Sequence, residues 1–515
     1  MIYVILGQTA SGKTKLAIKL AKEFSLPIIS ADAFQCYKEL NIGTDKPSSN
    51  QLKGIKHHFI NEYSINDDVS VYLFQKEMKK VIDEYISEGK DIIVTGGTLL
   101  YIRALLFDYV FNDSIPTKKY DELSLDLLQK ELKKRSLKLA EKIDINNPRR
   151  IIRTLEKLDS GLSDTDIILK GNCKPIYPCI LFNIDIDKEV GNKLIDERVD
   201  CMLLKGLKKE ATNLLKVSPH KSNGLSAIGY KEFTNTSLSD EEISNLIKTH
   251  SHQYAKKQRT FIAHQFDNVI KASSDRIYQL VKQDILLKKR TNLVLDNKTI
   301  YSIESSKVLL CGLGGVGSIV ATSLVRMGFK DISLIDFDKV EYTNLNRQIM
   351  YDLLDIDFRK VDVCKKKMEQ VSPLVRVTPY CKKINSIKDL PADRFDIILD
   401  CIDFIDGKVA LYLKSKQDSS IFISASGSGF HKDSTKFIYS TLSHASDILS
   451  KNFVNKLIEI GINRDEINKI NCVYPCDSKV KNKKGSVLVP SICNATNSSG
   501  LAIISILLKI LSCEE

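Results

Sequence analysis

The sequence predicts two consecutive α/β domains, each built on a mainly parallel sheet. Two apolar runs suited to buried strands are each followed at once by a glycine-rich turn and a helical pattern. They are Ile2–Leu6 before Gly7–Thr14 and Lys307–Cys311 before Gly312–Ser318. The chain also has 515 residues, more than one hydrophobic core usually supports.

Further strands and helices extend the first domain. Apolar runs at Pro27–Ser30 and Asp91–Thr95 continue the strand–helix alternation that builds a parallel sheet. Residues from about 116 to 185 are rich in Lys, Leu and Glu, and we expect them to form an inserted helical subdomain.

The domain boundary is expected between residues 270 and 300. There the polar run LLKKRTNLVLDNKT follows the last amphipathic helical pattern of the first half. We therefore expect a first domain over 1–280 and a second over 285–515.

Composition narrows the class of protein only broadly. The chain is 43% apolar and 27% charged, which is ordinary for a globular protein. Its formal net charge of +12 suits a polyanionic partner, although a lysine-rich composition alone also produces such a charge.

Cysteine spacing and apolar runs suggest the compartment. The 12 cysteines form no CxxC pair, and Cys472 and Cys476 make a poor zinc site on their own, so we expect reduced thiols and no zinc. The start MIYVILGQTASGK lacks the features of a signal peptide. The most apolar stretch, Leu501–Leu511, is too short to cross a bilayer and contains Lys509. We expect a cytoplasmic protein with no membrane partner.

The first glycine-rich turn fits the phosphate-binding pattern GxxxxGK[ST], in the strand–turn–helix context that the pattern requires. Its backbone N–H groups would surround a phosphate chain, Lys13 would neutralise the outer phosphate, and Thr14 would hold Mg²⁺. From these residues alone a small-molecule kinase or ATPase stays possible. The predicted phosphate-binding residues are Gly7, Gln8, Thr9, Ala10, Ser11, Gly12, Lys13 and Thr14.

Eight further segments of the first half carry a recognisable pattern. They are Ser30–Tyr37, Asn41–Pro47, His57-His58, Thr95–Tyr101, Asn147–Arg153, Arg198–Asp200, Gly229-Tyr230 and Ala255–Thr260. In these segments and in their order, nearly all of residues 1–270 resembles the tRNA dimethylallyltransferase family.

This resemblance implies that the phosphate loop holds the diphosphate of dimethylallyl diphosphate. Asp32 matches the general base that takes a proton from the exocyclic amine of adenosine, and Thr98 matches a threonine that contacts the substrate. For Asp32 the structural alternative is an N-cap, and for Thr98 it is turn chemistry. The residues expected to contact tRNA are Asp32, Ala33, Phe34, Gln35, Thr98, Arg149, Arg150 and Arg153.

Three of these assignments carry a qualification. The arginines of the segment Asn147–Arg153 could instead form a solvated helix face. The resemblance implies that His252 also binds the diphosphate, but the family usually has an arginine there and histidine is only partly charged at neutral pH. Ala33 replaces a serine that usually follows the aspartate, so one hydroxyl is lost.

The second glycine-rich turn carries the pattern GxGxxG through Gly312, Gly314 and Gly317, with Gly315 beside them. Asp336 follows about twenty residues later, the spacing of an acid that binds ribose. These residues alone would also fit a dehydrogenase.

The segments Asp336–Asp338, Asn344–Gln348 and Asp400–Asp403 follow, together with Lys360. In these residues the second half resembles the adenylyltransferases related to ubiquitin-activating enzymes. The resemblance implies that Arg347 and Lys360 hold the phosphates of ATP, that Asp403 holds Mg²⁺ and that Asp336 grips the ribose. Arg290 matches a family arginine that can reach the ATP of a partner subunit, which implies a possible homodimer through this domain. The expected ATP-binding residues also include Asp338 and Asn344.

Four later segments narrow the resemblance within that superfamily: Ser426–Gly429, Asp433–Lys436, Ser446-Asp447 and Asn471–Tyr474. With them the second half looks like the tRNA threonylcarbamoyladenosine dehydratases. Cys472 matches a family cysteine, although a buried thiol is an equally good interpretation. The sequence departs from the family at Pro475-Cys476-Asp477, Asn452 and Asn455.

The sequence therefore predicts a P-loop-type parallel sheet with a helical insert, followed by a Rossmann-like domain of ThiF type. We expect a bifunctional enzyme that acts on the tRNA anticodon stem-loop, at the adenosine beside the anticodon. One half would transfer a dimethylallyl group to the exocyclic amine, and the other would use ATP to cyclise threonylcarbamoyladenosine. Its expected ligands are dimethylallyl diphosphate, ATP and Mg²⁺. Two alternatives stay open for the second half: it activates a ubiquitin-like or sulfur-carrier protein, or it only recruits tRNA.

Overall fold

A computed structural model describes residues 1–109, 119–164, 174–217, 223–235, 237–476 and 489–512. The chain divides into two compact units. The first contains residues 2–84 and 91–274, and the second contains residues 275–515 together with Met1 and 85–90. The expected α/β class is confirmed for both units.

The sheet of the first unit has six parallel strands in the order β3-β2-β4-β1-β5-β6. Strand β1 lies in the interior of the sheet and is buried along its whole length, as its apolar sequence predicts. The strands are β1 (Ile2–Leu6), β2 (Ile28–Ser30), β3 (His57–His58), β4 (Ile92–Thr95), β5 (Cys179–Ile184) and β6 (Ile270–Ala272).

Helices of the first unit follow the strands in alternation. Helix α1 begins at Lys13, near the end of the glycine-rich turn Gly7–Thr14, which we call the phosphate loop. Helix α10 is the longest described helix of this unit. The helices are α1 (Lys13–Phe24), α2 (Ser49–Leu52), α3 (Val71–Ser87), α4 (Leu99–Leu106), α5 (Leu125–Arg135), α6 (Leu137–Lys142), α7 (Pro148–Asp159), α8 (Lys188–Leu204), α9 (Leu207–Val217) and α10 (Asp240–Gln265).

The predicted helical insert is confirmed for α5, α6 and α7, which enclose a small core of their own containing Leu128, Leu132, Leu139 and Ile151. The expectation of a mostly helical segment up to residue 185 was too broad. Residues 179–184 form β5, which pairs in parallel with β1. Residues 110–118 and 165–173 lie outside the described part of the chain.

The sheet of the second unit has seven strands in the order β12-β13-β11-β10-β7-β8-β9. All neighbours are parallel except β12 and β13, so the parallel part has the Rossmann order. The strands are β7 (Lys307–Cys311), β8 (Asp331–Ile335), β9 (Arg376–Tyr380), β10 (Ile397–Asp400), β11 (Ile421–Ala425), β12 (Phe437–Thr441) and β13 (Asn471–Pro475).

Helices of the second unit cover both faces of this sheet, and two buried clusters fill the space between them. The helices are α11 (Ser274–Lys288), α12 (Asn297–Ser305), α13 (Gly315–Met327), α14 (Lys360–Val371), α15 (Ile405–Asp418), α16 (Ile448–Glu459), α17 (Arg464–Ile467) and α18 (Cys493–Ser512).

The interval 270–300, where a polar linker was expected, contains strand β6, all of helix α11 and the start of helix α12. Helix α11 carries Asp284 and Lys288, whose buried side chains form ion pairs with Lys330 and Glu304 of the second unit. A buried charge is retained only when it is paired, so these contacts tie α11 to the second unit. The division between the units falls at 274/275.

Helix α18 is longer than the apolar stretch noted in the sequence. Its 20 residues make it long and apolar enough to cross a membrane by length and composition, and 50% of its apolar window is buried inside the structure. Ile503, Ile504 and Leu507 belong to the buried cluster of the second unit, and the helix packs against α13.

Candidate functional site

A cavity of about 1090 Å³ opens at the carboxyl edge of the first sheet. The phosphate loop after β1 and the segment after β2 both reach this edge, where parallel sheets usually bind ligands. The cavity wall therefore includes Lys13 and Thr14 of the loop together with Asp32 and Gln35, which come later in the sequence.

Lys13 is the most buried cation of this wall. Its side chain is only 8% exposed, and its Nζ donates to the carbonyl oxygens of Gly7 at 3.0 Å and Gln8 at 2.7 Å. Burial, with a smaller contribution from the Arg198 cation, lowers the pKa of Lys13 to about 7. An anion in the cavity would reverse this shift by supplying the missing negative charge.

Side chains from two distant helices hold the phosphate loop. Arg198 on α8 donates to Thr9 Oγ1 at 2.6 Å, and Gln258 on α10 accepts the backbone N–H of Thr9 at 2.7 Å. Arg259 contacts the Gln8 carboxamide. The loop also contains a buried hydroxyl, Ser11 Oγ, that has no hydrogen-bond partner among the described residues.

Asp32 follows β2 and uses its two carboxylate oxygens differently. Oδ1 accepts the backbone N–H groups of Phe34 at 3.0 Å and Gln35 at 3.3 Å, which fixes the turn. Oδ2 lies beside Gly97, since a Cβ added to that glycine would be 3.2 Å from it. Asp32 thus has the capping contacts of the structural alternative and still faces the cavity with the carboxylate that a base requires.

A glycine brings the turn after β4 against the turn after β2. A Cβ on Gly96 would lie 2.1 Å from the carbonyl oxygen of Ala31, so no larger residue fits without moving backbone. Two residues further on, the hydroxyl of Thr98 accepts the backbone N–H of Ala33 at 2.9 Å. Thr98 and Ala33 therefore support the Asp32 turn, and neither lines the cavity itself.

Gln35 lines the cavity, but both ends of its carboxamide already have partners. Nε2 donates to the carbonyl oxygen of Thr44 at 3.0 Å, and Oε1 accepts the Ser30 hydroxyl at 3.4 Å. Contact with a nucleobase would require an exchange of these bonds.

Phe34 also lines the cavity, whereas His252 and the three predicted arginines lie away from its wall. His252 Nε2 lies 2.9 Å from Asp196 Oδ1, and the residue does not line the cavity. Arg149, Arg150 and Arg153 are exposed on α7 of the insert, and Arg153 contacts Glu156 at 3.1 Å.

Sequence reasoning gave no role to two cavity residues. Arg198 was noted only as part of a matching segment, and its place beside Lys13 depends on a contact across 189 residues of chain. His57 lines the cavity, and burial lowers its pKa to about 4, so its ring is neutral. The presence of both in matching segments was the available signal.

In the second unit the glycine-rich turn packs closely against the end of β10. A Cβ on Gly317 would lie 1.7 Å from the Gly312 carbonyl oxygen, and one on Gly312 would lie 2.5 Å from that of Cys401. Gly314 and Gly315 complete the turn into α13. Only glycine allows this close approach, which leaves the helix N-terminus open to a phosphate.

The acids after β8 form a connected group with Lys360. Asp336 is buried and accepts the N–H groups of Leu313 at 2.6 Å and Asp338 at 2.8 Å, and burial raises its pKa. Lys360 is 4% exposed and pairs with Asp338 at 2.9 Å. The glycine-rich turn, the expected ribose acid and the expected phosphate lysine are therefore brought together.

Arg347 and Asn344 lie in the loop after β8. Asn344 is buried and accepts the N–H of Glu341 at 3.1 Å, so it shapes the loop. Arg347 Nη1 donates to Thr343 at 2.8 Å and to Asn346 at 3.0 Å. Asp403 is exposed after β10. Arg290 is exposed before α12.

A buried charge network lies directly beneath the Asp403 loop. Lys408 contacts Asp400 at 2.9 Å and the Ala425 carbonyl oxygen at 2.7 Å, and Ser424 donates to Asp400 at 2.6 Å. Asp400 also accepts the N–H of Ile402 at 3.3 Å. The network therefore fixes the turn that carries Asp403, and the sequence analysis did not identify it.

Of the four dehydratase-like segments, Ser426–Gly429 follows β11 and Asn471–Tyr474 forms most of β13, while the other two precede β12 and α16. Cys472 is buried, and burial raises its pKa to about 12, so it is a protonated thiol. Asp447 caps α16 by accepting the N–H of Ser450 at 3.1 Å. Asp477 lies outside the described residues.

Within the described residues no group of three or more His, Cys, Asp or Glu side chains is arranged to hold a metal ion. Magnesium does not need such a group, because one carboxylate or hydroxyl often suffices when substrate phosphates supply the other oxygens. The single hydroxyl of Thr14 and the single carboxylate of Asp403 fit that arrangement.

The fold and the two glycine-rich turns define a class: a phosphate-binding α/β enzyme scaffold joined to a Rossmann-type nucleotide-binding domain. Residues 35–265 match the IPP transferase family model, and residues 289–510 match the ThiF family model. The tRNA dimethylallyltransferase of Malacoplasma penetrans is 35% identical over 270 residues, which are 52% of this chain and 90% of that protein. The chain therefore belongs to the tRNA dimethylallyltransferase family and carries a ThiF-family region in its second half.

Two solved structures are similar to the two halves. A eukaryotic dimethylallyltransferase acting on tRNA is 24% identical, covers 57% of this chain and 79% of its own, and has a TM-score of 0.50. The E. coli tRNA N6-threonylcarbamoyladenosine dehydratase in complex with AMP is 23% identical, covers 45% of this chain and 95% of its own, and has a TM-score of 0.42.

Proposed function

We propose that this chain modifies the adenosine beside the tRNA anticodon through two separate active sites. The first transfers a dimethylallyl group to the exocyclic amine, and the second cyclises threonylcarbamoyladenosine at the expense of ATP. The observation that carries the first activity is one cavity that holds both a carboxylate, Asp32, and a phosphate-loop cation, Lys13.

In the first reaction the exocyclic nitrogen attacks C1 of the dimethylallyl group. The new C–N bond forms as the C–O bond to diphosphate breaks, and the electron pair leaves with the diphosphate. Asp32 Oδ2 takes the amine proton, while Oδ1 keeps the carboxylate in place through its two backbone hydrogen bonds. Thr98 acts by holding the Ala33 N–H of the same turn.

The leaving diphosphate requires cations on the opposite side of the cavity. Lys13 and Arg198 supply them, and Ser11 Oγ supplies a donor that has no partner among the described residues. Magnesium, when bound at Thr14, would neutralise further phosphate charge.

The polynucleotide would be held mainly through its phosphates. Exposed Arg149, Arg150 and Arg153 on α7 present cations on the insert, and the chain as a whole has a formal charge of +12. Such contacts orient a nucleic acid without reading its sequence.

The second reaction begins with attack of the threonylcarbamoyl carboxylate on the α-phosphorus of ATP, with loss of pyrophosphate. An atom of the carbamoyl group then attacks the activated carbonyl carbon and closes the ring, the bond to AMP breaks so that AMP leaves with the carboxylate oxygen, and a carbamoyl N–H proton passes to solvent. Asp336 would hold the ribose, Lys360 and Arg347 the phosphates, and Asp403 the magnesium ion.

The rings of Phe337 and Phe404 offer a place for adenine. Each directly follows one of the two expected ATP-binding acids, and their centroids lie 6.4 Å apart. Lys383 lies over both rings, at 5.7 and 5.5 Å from their centroids. Flat aromatic surfaces beside a ribose acid suit a purine base.

A homodimer through the second unit is supported by its exposed apolar residues. Tyr342, Leu353, Leu354 and Phe358 are each more than 60% exposed in one loop region. A second copy would cover them, and Arg290 would then be available to the ATP of the partner. The enzyme would act in the cytoplasm, where tRNA is modified.

Two measurements test the proposal. Nucleoside mass spectrometry of tRNA from cells lacking the gene should show loss of both modifications. ATP–pyrophosphate exchange by the purified chain should be stimulated by tRNA. Stimulation by a carrier protein instead would favour an activator of such a protein, and no exchange with either would leave a tRNA-recruiting second half.

A further inference from the structure

The hydrogen-bond donors of the proposed phosphate site already have acceptors within the protein. Lys13 donates to two loop carbonyls, and the Thr9 N–H is accepted by Gln258. Arg198 donates to Thr9 and lies 3.4 Å from a carboxylate oxygen of Asp45. Of these acceptors, Asp45 alone carries a negative charge.

Asp45 is held where it can meet Arg198 and the cavity at once. Its backbone has a φ of 51°, in the left-handed region, and its N–H donates to the Ile42 carbonyl oxygen at 3.0 Å. Its side chain is 55% exposed and lines the cavity together with Arg198. A carboxylate in an anion-binding site lowers the affinity for the anion, because it repels the anion and pairs with the cation that would bind it.

We propose that Asp45 competes with the diphosphate for Arg198 and thereby sets how tightly substrate and product diphosphates are held. This inference rests on the proposed prenyl transfer and concerns the same cavity. With the site empty, Asp45 pairs with Arg198. When a diphosphate enters, Arg198 turns to it and the Asp45 carboxylate returns to water, which its exposure allows.

The competition also favours release of the product. Inorganic pyrophosphate leaves behind a cation that Asp45 can neutralise at once, so departure does not strand Arg198 without a counter-ion. Because Asp45 is half exposed, its effect on affinity should be modest and should weaken with salt.

The direct test is calorimetric titration of the full chain with inorganic pyrophosphate. Asp45→Asn removes the charge and keeps the shape, and asparagine tolerates a positive φ. We expect about two- to fivefold tighter binding in this variant at low salt, with the difference shrinking in 1 M salt. Glu241→Gln makes the same change in net charge at an exposed position outside the cavity, and should bind as the wild type does.

A double-mutant cycle shows whether the effect passes through Arg198. In an Arg198→Gln background, Asp45→Asn should give no further gain, because the cation for which Asp45 competes is absent. An undiminished gain in that background, an equal gain in Glu241→Gln, or unchanged or weaker binding in Asp45→Asn would each overturn the competition.

Steady-state prenyl transfer gives an independent reading. Asp45→Asn should lower KM for dimethylallyl diphosphate and strengthen product inhibition by pyrophosphate, without raising kcat. A raised KM would count against the proposal. Failure of the prenyl-transfer assignment looks different: wild-type chain and Lys13→Ala would then bind pyrophosphate equally, and no variant would transfer a prenyl group.

Discussion

Each unit has one buried lysine that we propose binds phosphate, and the two lysines differ in the groups that surround their charge. Lys13 is buried against neutral carbonyl oxygens, and its pKa falls to about 7. Lys360 is equally buried, yet it has a carboxylate partner in Asp338 at 2.9 Å. One site keeps its lysine ready for an incoming anion, and the other supplies a counter-ion from within the protein.

The different partners of Lys13 and Lys360 predict how each site would respond to its ligand. At the first, an arriving diphosphate supplies the charge that burial has withheld, so binding and protonation of Lys13 are coupled. At the second, a triphosphate must compete with Asp338 for Lys360, but that carboxylate is 47% exposed and can be rehydrated. Four predictions test the two sites and the contrast between their lysines, and they begin with the largest expected effect.

Asp32→Asn should lower the rate of prenyl transfer by about 10²- to 10⁴-fold, because the proton acceptor is removed while the turn is kept. The measurement is single-turnover transfer to tRNA. ATP consumption by the second unit should stay at the wild-type level, since its residues belong to a separate core. A variant that prenylates at the wild-type rate would show that Asp32 is not the base.

Lys408→Met should destabilise the second unit by about 3–5 kcal/mol, because Asp400 would be left fully buried without its cation. Lys360→Met is the matched control. It leaves Asp338 half exposed, so we expect a cost of about 1 kcal/mol or less. Differential scanning calorimetry of the full chain measures both.

Equal destabilisation by these two lysine replacements would contradict the contrast between enclosed and solvated partners. The double replacement Lys408→Met with Asp400→Leu should recover much of the loss, since an apolar pair can take the place of a buried ion pair.

Much of this architecture could be predicted from local sequence. Ile2–Leu6 and Lys307–Cys311 are strands with the predicted bounds, because each is a short apolar run that ends at a glycine-rich turn. Strand β5 was missed, since its run CILFNI follows a long segment with helical composition. Helix α18 was underestimated because its first residues, CNATNSSG, are polar.

The contacts that adjust the first site could not be predicted in this way. Arg198, Gln258 and Arg259 reach the phosphate loop from helices about 190 to 250 residues away in the chain. The spacing within a motif carries no information about such partners. For the same reason the cavity wall includes Arg198 and excludes His252, although both lie on helices beside it.

Arg347→Ala should reduce tRNA-stimulated ATP–pyrophosphate exchange by about 10²-fold, the usual effect of removing one group that stabilises charge in a transition state. Prenyl transfer should be unaffected. Asn346→Ala removes a neighbouring side chain that contacts Arg347 and serves as the control, with a smaller expected loss. Exchange that survives in Arg347→Ala would remove this residue from the phosphate clamp.

The pH dependence of diphosphate binding tests the lysine contrast most directly. The pKa of Lys13 is about 7 in the empty site, and a bound diphosphate raises it, so the protonated lysine is the form that binds. Affinity should therefore be level below pH 7 and fall by up to about tenfold per unit above it, until the pKa of the complex is reached. Calorimetric titration with inorganic pyrophosphate in two buffers of different ionisation enthalpy should reveal proton uptake at pH 8. Lys13→Arg keeps its charge throughout this range, so it corrects for the ionisation of pyrophosphate itself. If wild type and Lys13→Arg lose affinity in parallel between pH 7 and 9, Lys13 is already charged in the empty site and the contrast with Lys360 disappears.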